Sequence, residues 1–369
     1  MGDQREIHIA SPVVGEAARE LVAEVLASGR LAQGPMVERF EGLCADMAGV
    51  AHAVAVSSGT DALEVAIEAL DLEANQVVVT SPFTFAATVN AVLRAGALVQ
   101  FVDIDDDYLL DLDATAHASS ELNVGAVVPV HLYGLPVDLA QLAHIAGDIP
   151  IVEDAAQAHG AASGDLVVGA VGAACFSFYA TKNVMAGEGG VVTTDDGEWA
   201  AVMRTIRNQG MAGRYEYVRV GRNARMTELQ AAIAIPQLES LADITDRRRR
   251  NARLLVEALK DLDDVVLPRE PDDRTHVWHQ CTVLVPDELD REQVLAAMAE
   301  AGVFPGVYYP HALNDVPLYR DHPGVLPSQT PRARAAAARC LSLPIHHGLE
   351  AGDVERVAEA FRGAIARSR

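Results

Sequence analysis

The chain has 369 residues, half of them hydrophobic and 22% charged, as expected of a globular protein of two or three domains that needs no disulfides or metals for bulk stability. Its 29 lysines and arginines stand against 52 aspartates and glutamates, a formal net charge of −23 at pH 7. That balance excludes a reader of nucleic-acid backbone, which needs basic surface to release counterions, but leaves room for an anionic substrate in a locally basic pocket.

The N-terminal stretch carries charges where a secretion signal needs an apolar core. The longest run without a formal charge, residues 74–93, is interrupted by Asn75, Gln76, Pro82 and Asn90 and makes a poor membrane span. Cys44, Cys175, Cys281 and Cys340 are far apart and form no Cys-x-x-Cys. A soluble, cytoplasmic protein without a metal site is the expectation.

Short apolar runs at 53–57, 77–80, 97–102, 125–130, 149–153, 174–178 and 190–194 predict buried strands. Helical spacing appears between them at 61–70, 84–94 and 138–146. Such alternation predicts a mostly parallel, seven-stranded α/β sheet flanked by helices, with ligands gathered where the strands end. The pattern changes after residue 225. Residues 227–262 read as one helical stretch with Thr227 as N-cap, and Pro236 is expected to kink or divide it. The four arginines at 247–250 read as a solvated helix face. Strand-like runs at 265–267, 276–285 and 303–309 then mix with helical ones at 290–301, 331–340 and 351–367. The expected division is a large α/β domain over 1–235 and a smaller α+β domain over 236–369.

Four segments that follow strands carry the chemistry. Ser58-Gly59-Thr60 opens a helix, where backbone N–H groups and the Ser58 and Thr60 hydroxyls can hold a phosphate. Asp154 closes an apolar strand, where a protonated ring nitrogen would offset the cost of burying a carboxylate; Gln157 follows within reach of a ring substituent. Lys182 lies between a hydrophobic strand and the glycine-rich 187–190 return, a setting in which lysine can form a Schiff base, and Ser177 precedes it as a second phosphate ligand. Phe85 follows a strand and can stack on a planar ring. Each also has an ordinary structural reading, as a helix cap, a surface lysine or a core aromatic. Together they meet the needs of pyridoxal 5′-phosphate.

These segments resemble the DegT/StrS-type (DegT/DnrJ/EryC/StrS) sugar aminotransferases, which are fold-type I pyridoxal-phosphate transferases. The resemblance runs in order through Leu31-Ala32-Gln33-Gly34-Pro35, Ser58-Gly59-Thr60-Asp61-Ala62-Leu63, Glu153-Asp154-Ala155-Ala156-Gln157-Ala158-His159-Gly160, Ser177-Phe178-Tyr179-Ala180-Thr181-Lys182-Asn183 and the run Asn223-Ala224-Arg225-Met226-Thr227-Glu228. It implies that Lys182 bonds the cofactor and moves the substrate proton, and that Asp154 keeps the ring nitrogen protonated. Gln157 would contact the ring hydroxyl, Phe85 the ring face, and Ser58, Gly59, Thr60 and Ser177 the phosphate. Asn223 would reach the phosphate of a neighbouring subunit, making a homodimer with its active sites at the interface. The implied reaction is a ping-pong transfer from L-glutamate (or glutamine) to a nucleotide-linked keto-sugar, and Lys182 favours it over the histidine-bearing dehydratases of the same family. The alternatives are an aminocyclitol or aminodehydroquinate-type synthase and a cofactor-binding regulatory protein without turnover. Two stretches depart from the family pattern. Val184-Met185-Ala186 suggests a more apolar pocket, and Tyr308-Tyr309-Pro310-His311 is compressed. Tyr309 and His311 are candidates for contact with the sugar, with packing the equal alternative.

Overall fold

The computed structural model describes residues 5–369. Its central sheet is built from β1 (His52–Val56), β2 (Val77–Thr80), β3 (Leu98–Phe101), β4 (Val124–Val128), β5 (Val152–Asp154), β6 (Ala173–Ser177) and β7 (Gly190–Thr194). Two ladders, β1-β7-β6-β5 and β3-β2-β4, are joined by the bridges Val127–Ile151 and Val130–Asp154. Strand β7 runs antiparallel to both neighbours, and all the others are parallel. The mostly parallel seven-stranded expectation therefore holds. Every residue of β2, β6 and β7 is buried, which is why these strands read as unbroken apolar runs. Alternation along β1 shows both faces at work: Ala53 and Ala55 join one core cluster, and Val54 and Val56 the other.

Two helices stand where the sequence reading assigned nothing, α1 (Glu16–Ser28) and α2 (Pro35–Ala48), each stopped by a left-handed glycine, Gly29 and Gly49. The sheet is then wrapped by α3 (Gly59–Glu68), α4 (Ala86–Arg94), α5 (Leu112–Glu121), α6 (Leu139–Ala146) and α7 (Gly197–Arg207). Asp111, Asp138 and Asp196 cap α5, α6 and α7 through their side chains.

The long helical stretch divides into α8 (Glu228–Glu239) and α9 (Leu241–Leu259), with Thr227 and Gln230 forming a capping box at its start. The break falls at Ser240 rather than at Pro236, which sits inside α8. Proline removes one N–H, and its own carbonyl finds a donor in Ser240 Oγ at 2.9 Å. Ser240 then leaves helical geometry with φ −105° and ψ 12°. Glu228 does more than favour the start of α8. Its buried carboxylate accepts the N–H groups of Gly34, Met36 and Val37 at 2.9, 3.0 and 2.9 Å and so caps α2.

In the C-terminal part, Cys281–Leu284 pairs antiparallel with Cys340–Leu343, and α10 (Arg291–Glu300) packs on the final helix, Ala351–Ser368. The predicted strand at 276–285 is shorter than expected because its first half bonds elsewhere: Val277 N donates to Gly134 O at 2.9 Å and Gln280 N to Tyr133 O at 3.2 Å. The run at 303–309 shrinks to Val303–Phe304, and 265–267 to a bridge from Val266 to Leu284. All four cysteines are free and buried. No described helix is long and apolar enough to cross a membrane.

Candidate active site

The carboxyl ends of β1, β5 and β6 converge on a cavity of about 480 Å³, a size ordinary for a small-molecule site. Ser58, Gly59, Thr60, Phe85, Asp154, Gln157, Ser177, Lys182 and Tyr309 all line it. His311 and Asn223 do not. Both are exposed; Asn223 is held by an antiparallel backbone bridge to Asn208.

The first wall is the start of α3. Ser58 caps it, its Oγ accepting Asp61 N at 3.0 Å and donating to Asp61 Oδ2 at 3.0 Å, so this hydroxyl is already engaged. The first-turn N–H groups have no helical acceptor and attract an anion. Glycine is required here by space: a Cβ on Gly59 would lie 2.6 Å from Ser177 Cβ, and one on Gly190 would lie 2.2 Å from Ser58 O. The helix start and the end of β6 therefore form a tight cradle that a methyl group would fill.

The second wall is Asp154, buried at the end of β5. Its Oδ2 accepts Thr88 Oγ1 at 2.7 Å, and Thr88 is itself paired with Thr84 Oγ1 at 2.8 Å. Its Oδ1 accepts Ala156 N at 3.2 Å. The carboxylate forms no ion pair among the described residues, and a buried carboxylate with spare acceptor capacity calls for a cationic or protonated partner. Gln157 Oε1 is fixed by Tyr133 N at 2.6 Å, which aims its amide nitrogen at Tyr309 Oη, 3.3 Å away. Phe85, at the start of α4, is 59% exposed, with its ring 6.0 Å from that of Tyr309. A large apolar face left this open at a cavity mouth is available to stack on a bound ring.

The third wall is the Lys182 turn. Lys182 N donates to Tyr179 O and Ala186 N to Phe178 O, at 2.9 and 2.8 Å, pinning the loop under β6. Val184, Met185 and Ala186 are buried beneath it; Val184 and Ala186 pack in the core, whereas Met185 lines a narrow cleft beside Lys182 rather than the main cavity. Burial pushes the Lys182 ammonium down to about 8, partly opposed by the Asp154 charge. At neutral pH a useful fraction is therefore the free amine, the nucleophilic and basic form.

The C-terminal part supplies a wall that sequence reasoning missed: Arg248, His279 and Gln280. His279 Nδ1 pairs with Asn183 Oδ1 at 3.1 Å, and burial, reinforced by Lys182 and Arg248, holds its ring well below the usual histidine range. Arg248 corrects the solvated-face reading of the arginine run. Arg247 is exposed, but Arg248 is only 4% exposed, because it occupies the buried stripe of α9 made by Ile244, Asn251, Ala252, Leu255 and Leu259. That spacing was available in the sequence; the run of four like charges concealed it.

The profile of the DegT/DnrJ/EryC1/StrS aminotransferase family matches residues 12–362. The chain belongs to this family. As an aminotransferase it is 38% identical over 351 residues to the pleiotropic regulatory protein of Geobacillus stearothermophilus, covering 92% of this chain and 93% of that one. It is 36% identical over 350 residues to the UDP-N-acetyl-3-dehydro-alpha-D-glucosamine 3-aminotransferase of Acidithiobacillus ferrooxidans, covering 93% and 92%. Among solved structures, S. venezuelae DesV in complex with a ketimine intermediate superposes with a TM-score of 0.90 at 35% identity, covering 95% of each chain. These likenesses also show the fold-type I architecture.

Proposed function

We propose that this aminotransferase binds pyridoxal 5′-phosphate and moves an amino group from L-glutamate to a nucleotide-linked keto-sugar in two half-reactions. The observation that carries this is the placement of a partly deprotonated Lys182 and a buried, unpaired Asp154 on the same cavity as the Gly59 cradle. The residues fit the cofactor at its three distinctive points: an anion cup, a carboxylate for a protonated ring nitrogen, and an amine for the aldehyde. When bound, pyridoxal phosphate supplies the aldehyde and an electron-withdrawing ring.

The rest is the work of the chain. The α3 N-terminus, with Thr60 and Ser177, holds the phosphate and fixes the ring's position. Asp154, braced by Thr88 and Ala156, would face the ring nitrogen and favour its protonated form. Gln157, immobilised by Tyr133, offers an N–H to the ring hydroxyl, and Phe85 covers one face. Lys182 Nζ would bond the aldehyde and, as a free amine, would take the proton from the amine-bearing substrate carbon and hold it for its return on the far side of the nitrogen. An amine held near a pKa of 8 can do both at neutral pH. Tyr309, on the same wall as Gln157, is placed to touch the acceptor, and exposed His311 is given no part.

Asn223, exposed and outside its own chain's cavity, is assigned to the phosphate of a second copy, which makes the working unit a homodimer of a cytoplasmic enzyme. The nucleotide-sugar acceptor is supported by the activity for which the Acidithiobacillus relative is named. The regulatory name of the Geobacillus relative is no argument against turnover here, since Lys182 and Asp154 are both present. The test is formation of 2-oxoglutarate from L-glutamate with a panel of UDP- and dTDP-linked 3-keto and 4-keto sugars and carbocyclic ketones. Turnover with a nucleotide-linked ketone supports the proposal. Turnover with carbocyclic ketones alone replaces it by the aminocyclitol reading, and no turnover with any amino donor removes it.

A further inference from the structure

Arg248 is a buried cation without an anion. Its neighbours Arg247 and Arg249 pair with Asp243 and Glu270 at 3.0 and 2.8 Å, but Arg248 forms no ion pair among the described residues. Nη1 donates to the backbone carbonyls of Trp278 and His279 at 3.1 and 3.2 Å, which fixes the guanidinium against the cavity wall. Nε is buried without an acceptor, and Nη2 donates to none of the described residues. Burying a charge in this way is costly unless a counter-ion arrives, and the planar guanidinium fork is shaped for a carboxylate.

Position decides which anion that is. Arg248 lines the main cavity and also shares a narrow cleft with Thr181, Lys182 and Asn183, to which none of Ser58, Gly59, Thr60 or Ser177 belongs. Arg248 thus shares with the lysine a cleft that the phosphate cradle does not reach, and this places its counter-ion beside the lysine amine. In an α-amino acid the carboxylate is bonded to the same carbon as the amine, so an amine brought to the place of Lys182 Nζ brings its α-carboxylate with it. The diphosphate of a nucleotide-sugar is separated from the reacting carbon by the sugar ring.

We propose that Arg248 binds the α-carboxylate of the amino donor, an assignment that rests on the transaminase reading above. It makes Arg248 a donor-specific residue that the sugar half-reaction does not use.

The test is calorimetric binding to the cofactor-loaded protein of two probes: 2-methyl-L-glutamate, which has the carboxylate but no transferable α-hydrogen, and uridine or thymidine diphosphate. Arg248→Lys, which keeps the charge and loses the fork, is expected to weaken the amino acid by about tenfold or more and to leave the nucleotide within about twofold. Arg248→Met is expected to abolish amino-acid binding alone. Unchanged amino-acid binding in both variants, or loss of nucleotide binding alone, overturns the assignment. A parallel loss of both ligands together with a lower thermal midpoint also overturns it, since it marks Arg248 as a structural support for the Trp278–His279 carbonyls. A wild-type protein that binds no amino acid overturns this assignment and the donor half of the proposed function together; binding in the wild type with unchanged variants overturns this assignment alone.

Discussion

Gly59→Ala isolates the cradle that joins α3 to β6. The added methyl would lie 2.6 Å from Ser177 Cβ, 2.9 Å from its Oγ and 3.1 Å from its Cα, where ordinary contact begins at 3.4 Å. One side must give by about 0.8 Å. Ser177 belongs to a strand bonded on both sides by β5 and β7, so the start of α3 must move. Overpacking of this kind costs about 1–3 kcal/mol. It outweighs the gain of about 0.4–1 kcal/mol that alanine brings at a glycine of compatible backbone. Displacing the first-turn N–H groups also loses one or two charge-assisted hydrogen bonds to a phosphate, each worth about 1.5–3 kcal/mol, so cofactor affinity should fall by roughly tenfold or more. Thermal denaturation of the apoprotein and fluorescence titration with pyridoxal phosphate measure the two effects. Gly42→Ala, in α2 with open space around its methyl, is the control and should be slightly stabilising. A Gly59→Ala protein that is as stable as wild type and binds the cofactor as tightly would refute the reasoning.

Asp154→Asn should retain the fold and the cofactor, because the amide oxygen still accepts Ala156 N while the Thr88 hydroxyl, which can donate to Thr84 instead, accepts the amide N–H; the glutamate half-reaction should slow by about 10²-fold or more, and stopped-flow spectroscopy reads both. Lys182 provides a pH signature. Its folded-state pKa of about 8 lies below the value of 10.5 for a free lysine, so between these values the unfolded chain holds the extra proton and stability rises with pH. Melting the apoprotein and Lys182→Met from pH 7 to 10.5 should show the variant more stable at pH 7, by on the order of 3 kcal/mol, with that advantage fading as pH rises; parallel curves would contradict it. Glu228→Gln should cost about 1–3 kcal/mol in a thermal or denaturant melt. It replaces the charged acceptor of Gly34, Met36 and Val37 and turns one donor against them.

Where neighbours in sequence are neighbours in space, the molecule was legible. Strands such as β2 and β6 are buried on both faces, so their apolar runs announce them, and Asp154, Ser177 and Lys182 sit where such strands end. Helices α1 and α2 were not visible: each buries only a few residues of its length, and α2 depends on a cap, Glu228, nearly two hundred positions away. The wall formed by Arg248, His279 and Gln280 was hidden for a related reason. The 276–280 segment reads as the start of a strand but spends its backbone bonds on Tyr133 and Gly134 across the molecule. Arg248 could have been found only by weighing its place on the α9 stripe above its charge.

The central claim is that Lys182 is the amine through which the cofactor exchanges its partner, and the visible absorption of the protein reconstituted with pyridoxal phosphate tests it most directly. Wild type and Lys182→Ala would be recorded side by side, before and after L-glutamate. The account predicts that the wild-type band of the bound cofactor is discharged by glutamate, whereas Lys182→Ala takes up the cofactor without the lysine-dependent band and does not complete the transfer. A Lys182→Ala protein that turns glutamate over at the wild-type rate would contradict it.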